Sequence, residues 1–170
     1  MSGLKVRFED LDRAIQPIEA FDCGNEILTR YLATQASQDV KRFIAKCVVA
    51  IDARAGAVVG YYTLSASRVD RACLPDELVK KLPRHEHLPA ALLGRLAVDV
   101  TYQGNGLGSA LLMVAAAAII ASPVAAYAMI VDPIDDAASA FYRKHGFLRL
   151  QTNSGRMFIP MKTLAQALSS

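Results

Sequence analysis

Between Asp99 and Asp132 the chain carries no charged side chain, and from Leu107 to Val131 it is almost wholly apolar. A run of that length has to leave water, either across a bilayer or inside a folded core. Its punctuation decides between them. Gly104, Gly106 and Gly108 stand at its start, and Pro123 sits where a spanning helix would have to continue. The run therefore reads as a buried helix from about Leu107 to Ala121, a turn at "ASPV", and a buried strand over 124–131. No membrane role is expected.

The stretch ahead of the glycines, "ALLGRLAVDV" (91–100), is a near-continuous apolar strand, so it should be central and covered on both faces. Other elements follow from local patterns. "LKVRF" (4–8) alternates as a first strand does. In "DCGNEILTRYLATQASQ" Asn25 is placed to cap a helix whose Ile27, Leu28, Tyr31 and Leu32 share a face. "CVVAIDARAGAVVGYYTL" holds two β-rich runs around a short turn, a hairpin by its chemistry. "LPDELVKKLP" (74–83) is a short helix with Pro75 in its first turn. After the strand at 124–131, Asp135 or Asp136 caps a helix that Gly146 ends, and "FLRL" and "RMFIPM" close the fold as strands. With neither a repeat nor a linker, residues 1–170 read as one α/β domain, a mixed sheet with helices on both faces.

Bulk properties exclude several classes. A hydrophobic fraction of 53% with 21% charged describes a globular chain, not a disordered one. Net charge is only +3, but its distribution is uneven: after Asp136 there is no acid, while Arg143, Lys144, Arg149, Arg156 and Lys162 follow. Such a segment is either a solvated basic surface or a contact area for phosphates. Cys23, Cys47 and Cys73 are widely spaced and odd in number, so neither a disulfide framework nor a zinc site is indicated, and a reducing cytoplasm fits best. His85 and His87 in "RHEHLP" lack further ligands and read as a surface loop. The charged opening "MSGLKVRFEDLDR" is unlike a signal peptide.

Strand, glycine turn and helix together present backbone N–H groups to a phosphate. A P-loop would need a lysine after its glycines, and none is present. A dinucleotide fingerprint fits poorly, because its third glycine would come one place early and its strand would not open the fold. The spacing Gln103-x-x-Gly106-x-Gly108 instead resembles the pyrophosphate loop of the GNAT acetyltransferases. Phe141-Tyr142-x-x-x-Gly146-Phe147 resembles a second signature of that family, in its expected place. The segments "FDCGNEILTRYL", "VVGYYTLSASRV", "LPDELVKKLP" and "LLGRLAVD" narrow the resemblance to GNAT toxins of toxin–antitoxin pairs, over about Phe21 to Met161.

The resemblance implies a mixed, mostly antiparallel GNAT sheet, acetyl-CoA as donor and no metal. It further implies an aminoacyl-tRNA acceptor whose acetylation stops translation, a ribbon-helix-helix antitoxin and a homodimer. Gln103, Gly104, Asn105, Gly106, Leu107, Gly108 and Ser109 are then the pyrophosphate site, and Leu96, Ala97 and Val98 lie along pantetheine. Ala138, Phe141 and Tyr142 share a helix face, with Ala138 and Phe141 lining the CoA channel and Tyr142 as general acid. Arg95, Arg143 and Lys144 are candidate tRNA phosphate contacts, and Lys41, Arg42, Lys80, Lys81 and Arg84 could extend them. No general base stands out, since His145 reads as an exposed helix end. An α-amine, with a pKa of about 7.7, is already partly neutral at physiological pH and needs little help. Acetylation of a protein or small-molecule amine, or a non-catalytic module that binds CoA or nucleic acid, are the competing functions.

Overall fold

The computed structural model describes residues 3–170. Its strands and helices follow in the order β1 (Val6–Asp10), α1 (Glu26–Thr34), α2 (Ala36–Lys41), β2 (Lys46–Asp52), β3 (Val58–Asp70), α3 (Asp76–Val79), β4 (His87–Val98), α4 (Leu107–Ala121), β5 (Ala128–Val131), α5 (Asp136–Lys144), β6 (Leu148–Arg149), β7 (Met157–Pro160) and α6 (Met161–Leu168). The strands are ordered β1-β2-β3-β4-β5-β7-β6 in a mixed sheet of seven. Two compact units divide the chain, one formed by residues up to Ser65 with Gly94–Ala115, the other by Ala66–Leu93 with Ala116–Ser170.

In the first unit β1 pairs antiparallel with β2, and β2 with β3, from Lys46↔Leu64 to Ile51↔Val58. The register slips between Ala50 and Ile51, so β3 carries an extra residue there. The carbonyl of Val59, in that bulge, accepts the Asp99 N–H at 2.8 Å. Helix α1 begins where Asn25 directs its side chain onto the Leu28 N–H at 3.0 Å, a cap of a kind worth about 1 kcal/mol. Its inner face buries Tyr31 and Leu32 in a core with Phe21, Ala36, Val49 and Tyr61. Gly60 sets the spacing of α4. A β-carbon there would lie 2.9 Å from Leu111 Cδ1 and 3.0 Å from the Ala97 carbonyl oxygen.

In the second unit β5 is parallel to β4 over Ala90↔Ala128 to Leu93↔Val131 and antiparallel to β7, which also pairs with β6. All four residues of β5 are fully buried, as its uninterrupted apolar run requires of a strand covered on both faces. Val69, Leu74, Leu88, Ile130, Leu150 and Phe158 form the core of this unit.

Several expectations are met in detail, and some are not. Helix α4 has the predicted bounds, and Asp135 is the residue that caps α5, accepting the Ala138 N–H at 2.8 Å. The strand expected over 124–131 is confined to its last four residues, and Val124 is 72% exposed. His87 opens β4 instead of lying in a loop, with Nδ1 2.7 Å from Asp70 Oδ1. Helix α6 was not foreseen; it starts directly after Pro160, which ends β7 without obstructing a helical first turn. Among the described residues no helix is long and apolar enough to cross a membrane.

The contacts at Gly60 predict that Gly60→Ala lowers stability by about 1–3 kcal/mol, since the Ala97 carbonyl cannot give way as a side chain can. Urea unfolding of the two proteins measures the difference.

Candidate active site

The predicted site residues fall into two groups, one in each unit. The first group follows β4. Its strand ends at Val98, and Asp99 begins a single 3-10 turn, Val100–Tyr102, before the glycines. Asp99 is 9% exposed and accepts the Asp22 N–H, the Thr101 N–H and the Thr101 hydroxyl at 3.1, 2.9 and 2.8 Å. Burial opposes ionisation of this carboxyl, but the N–H groups of Thr101 and Asp22 outweigh it and hold the group below the usual carboxylate range. Tyr102 donates its hydroxyl to Asp52 Oδ2 at 2.7 Å. That bond, with the Arg54 N–H, keeps the Asp52 carboxyl low as well. Neither aspartate was singled out from the sequence, although the hairpin turn beside Asp52 was.

Gln103 Nε2 donates to the carbonyls of Val98 and Cys23 at 2.9 and 3.1 Å, so this side chain ties the glycine turn to the strand it leaves. Asn105 Nδ2 reaches the Tyr102 carbonyl at 3.2 Å. Gly104 and Gly106 have φ of +84° and +79°, and a β-carbon on either would meet nothing within 4 Å. Glycine is therefore required here by backbone conformation, and the space above both residues is open. Helix α4 then starts at Leu107 without an acidic residue in its first turn, and its first internal bond runs from the Ala110 N–H to the Gly106 carbonyl. The N–H groups of Leu107, Gly108 and Ser109 belong to a helix start, where the macrodipole favours an anion. Leu107 itself is 4% exposed and Ala97 5%, so neither side chain is available to a ligand. Leu96 and Val98 are half-buried.

Arg95 lies on the same strand. Its guanidinium carbon is 3.5 Å from the centroid of the Tyr31 ring, a cation–π contact between residues 64 positions apart that no local pattern signals. Tyr31 in turn donates its hydroxyl to Asp39 Oδ2 at 2.8 Å, in the interior. A cavity of about 390 Å³ opens beside Tyr31 and Arg95, along Glu26, Arg30 and Gln35.

The second group is on α5. Ala138 and Phe141 are half-buried, while Tyr142 is the one buried residue of the helix, at 7% exposure. The Tyr142 ring meets Phe141 and Phe147 edge-on, both at 5.2 Å between centroids. Desolvation pushes its phenol well above the ordinary tyrosine value, so the hydroxyl keeps its proton throughout the physiological range. Gly146, at φ +93°, closes the helix, and the Phe147 N–H returns to the Tyr142 carbonyl at 3.1 Å. His145 departs from the exposed position expected of it: it is half-buried with its ring 4.8 Å from that of Phe141. Burial, and then Lys144, lower its pKa, which leaves the imidazole neutral at pH 7. Arg143 and Lys144 are exposed at the helix end, where they also complement its dipole. Arg156 pairs bidentately with Asp132, both bonds 2.8 Å, which removes it from the basic segment available to phosphates. Among the described residues no group of three or more His, Cys, Asp or Glu could hold a metal ion.

The depressed Asp99 carboxyl contributes stability that is present above its unfolded pKa of about 3.9 and lost as pH falls through the lower folded value. Asp99→Asn should thus cost about 1–3 kcal/mol at neutral pH, and the gap to wild type should close below about pH 4. Chemical unfolding across that pH range tests both statements.

Comparison with known proteins matches residues 44–149, more than half of the chain, to the acetyltransferase (GNAT) domain. A tRNA-acetylating toxin of Mycobacterium tuberculosis (strain ATCC 25618 / H37Rv) is 32% identical over 166 residues, 95% of each chain. The structure of AtaT complexed with acetyl-methionyl-tRNAfMet superposes with a TM-score of 0.85 at 30% identity, covering 96% of this chain and 99% of that one. A tyrosine-to-phenylalanine mutant of the AtaT toxin, bound to the C-terminus of the antitoxin AtaR and to acetyl-CoA, gives 0.78 at 27% identity, covering 98% and 99%. The mixed seven-stranded sheet, the strand–glycine turn–helix unit and these matches together make the chain a member of the GNAT acetyltransferase family.

Proposed function

We propose that this acetyltransferase moves the acetyl group of acetyl-CoA onto the α-amino group of an aminoacyl-tRNA and so blocks translation, as the toxin of a toxin–antitoxin pair. The observation that carries this reading is the likeness, over nearly the whole of both chains, to AtaT complexed with acetyl-methionyl-tRNAfMet. The name of the Mycobacterium tuberculosis relative supports the same acceptor. By the same reasoning the partner is an antitoxin, of the ribbon-helix-helix type, and the chain works as one acetyltransferase domain in a cytoplasmic homodimer.

Acetyl-CoA supplies an activated thioester; the protein's part is to hold it and to manage two protons. The turn from Gln103 to Ser109 suits a pyrophosphate, because it is open above Gly104 and Gly106 and leads into a helix start free of acidic side chains. Gln103 acts by holding the turn, since its amide is already engaged with Val98 and Cys23. The main chain of Leu96, Ala97 and Val98 accompanies pantetheine and offers an N–H to the developing oxyanion. Ala138 and Phe141 line the donor channel. Tyr142 donates its hydroxyl proton to the sulfur as the C–S bond breaks, the proton shed by the attacking nitrogen restores the phenol, and burial keeps that phenol protonated at any physiological pH. An α-amine with a pKa of about 7.7 reaches its nucleophilic form without a strong base. Arg95, Arg143 and Lys144 contact the tRNA backbone.

The function is tested with purified protein, acetyl-CoA and a panel of charged tRNAs, peptides and small amines, reading acetylated aminoacyl-adenosine by mass spectrometry after nuclease digestion. Acetyl transfer to charged tRNA is expected, and transfer only to peptides or small amines would overturn the proposal. Tyr142→Phe should lower kcat by about 10²–10⁴-fold with the affinity for acetyl-CoA unchanged. In wild type, kcat/KM should rise as the amine loses its proton near pH 7.7 and show no falling limb from Tyr142 up to about pH 10, because burial raises this phenol above its ordinary value of about 10.

A further inference from the structure

Phe43 is the only non-glycine residue with positive φ among the described residues, at +59°. It follows α2, in the left-handed position that ends a helix and that glycine fills at least cost. The turn is firmly built: the Phe43 N–H reaches the Val40 carbonyl at 3.2 Å, and the Ile44 and Ala45 N–H groups reach that of Asp39 at 2.9 and 3.4 Å. The phenylalanine gains nothing from burial in return, since it is 88% exposed. Backbone conformation and the hydrophobic effect both oppose this residue at this place.

Its surroundings are basic. Lys41, Arg42 and Lys46 are exposed, and none of them forms an ion pair among the described residues. Asp39 does not neutralise them, because it is buried and its carboxylate accepts the Tyr31 hydroxyl. A protruding ring among unpaired cations matches single-stranded nucleic acid, whose bases stack on aromatic faces and whose phosphates need cations. An apolar protein partner would find one further large apolar side chain in the turn, Ile44. Asp39 also couples the turn to the tRNA contact already assigned: its carbonyl holds residues 44 and 45, and its carboxylate holds the tyrosine under Arg95.

We infer that Phe43 is a stacking platform for an unpaired base of the tRNA substrate, with Lys41, Arg42 and Lys46 on the adjacent phosphates. This rests on charged tRNA being the acceptor. The test is steady-state acetylation of charged tRNA by wild type, Phe43→Gly and Phe43→Trp, with thermal unfolding of each. Phe43→Gly should raise KM for charged tRNA about tenfold, with kcat and KM for acetyl-CoA unchanged and with a Tm at or above that of wild type. Phe43→Trp should stay within about twofold of wild type. Replacing Lys41, Arg42 and Lys46 by alanine should flatten the slope of log affinity against log salt by about 2–3. An unchanged tRNA KM in Phe43→Gly overturns the stacking role while leaving the proposed function intact. Unchanged tRNA kinetics with weakened antitoxin binding likewise overturns it and marks Phe43 as a protein contact. Wild type that acetylates no charged tRNA overturns both together.

Discussion

The closeness of α4 to the strands beneath it is the constraint on which the glycine turn depends. At Gly60 the helix residue Leu111 and the Ala97 carbonyl come so near that no β-carbon fits between them. The β-bulge one residue earlier turns the Val59 carbonyl toward Asp99, so the same short stretch of β3 fixes both the floor under the helix and the exit of β4. A helix start works as an anion site only if it is held still, because hydrogen-bond donors that must reorganise lose much of their advantage. Gly60 and Val59 supply that rigidity from underneath.

The glycine turn is held from above by a second set of contacts. Asp99, Gln103 and Asn105 each fix the main chain by a hydrogen bond of 3.2 Å or less, and the Tyr102 side chain is anchored on the Asp52 carboxylate. This changes the meaning of the motif's glutamine. Its spacing from the glycines marks the turn in the sequence, yet its amide is committed to two protein carbonyls, so in the proposed pyrophosphate site this side chain ties the turn together and the main-chain N–H groups are left to meet the ligand. Charged side chains are absent from 100–131, so the attraction for an anion proposed for the turn would come from its backbone alone.

What could be read from the sequence was what local chemistry determines. The asparagine and aspartate caps of α1 and α5 and the glycine that ends α5 act within a few residues of themselves, and each was found where it was expected. The bounds of α4 follow from glycines on one side and a serine–proline pair on the other. Contacts between residues far apart in the chain left no such trace: Arg95 on Tyr31, Tyr102 on Asp52 and the aspartate bridging Asp22 to Thr101 depend on tertiary packing. Helix α6 was hidden because Pro160 looks like an end, and its role as a helix start depends on the residues after it. Phe43 was unreadable for the opposite reason. A left-handed helix end normally announces itself with glycine, and here it does not.

Proton management links the proposed chemistry to the proposed acceptor. A buried phenol with its pKa pushed up by desolvation is a reluctant acid in isolation, and free thiolate, with a pKa of about 8.5, would not take its proton spontaneously. In the proposed reaction the Tyr142 hydroxyl therefore acts first as a hydrogen-bond donor to the sulfur as negative charge builds there, and the proton that the attacking nitrogen sheds as the amide forms balances the one the thiol gains. Desolvation keeps the Tyr142 phenol protonated across the physiological range, as that role requires. The opposite requirement falls on the nucleophile, which must arrive without a proton. The imidazole of His145 is neutral at pH 7, but burial lowers its basicity. A lysine acceptor, with a pKa of about 10.4, would need a strong base to deprotonate it, whereas an α-amine needs almost none. The proposed acceptor, the α-amine of an aminoacyl-tRNA, is by contrast already close to neutral at physiological pH.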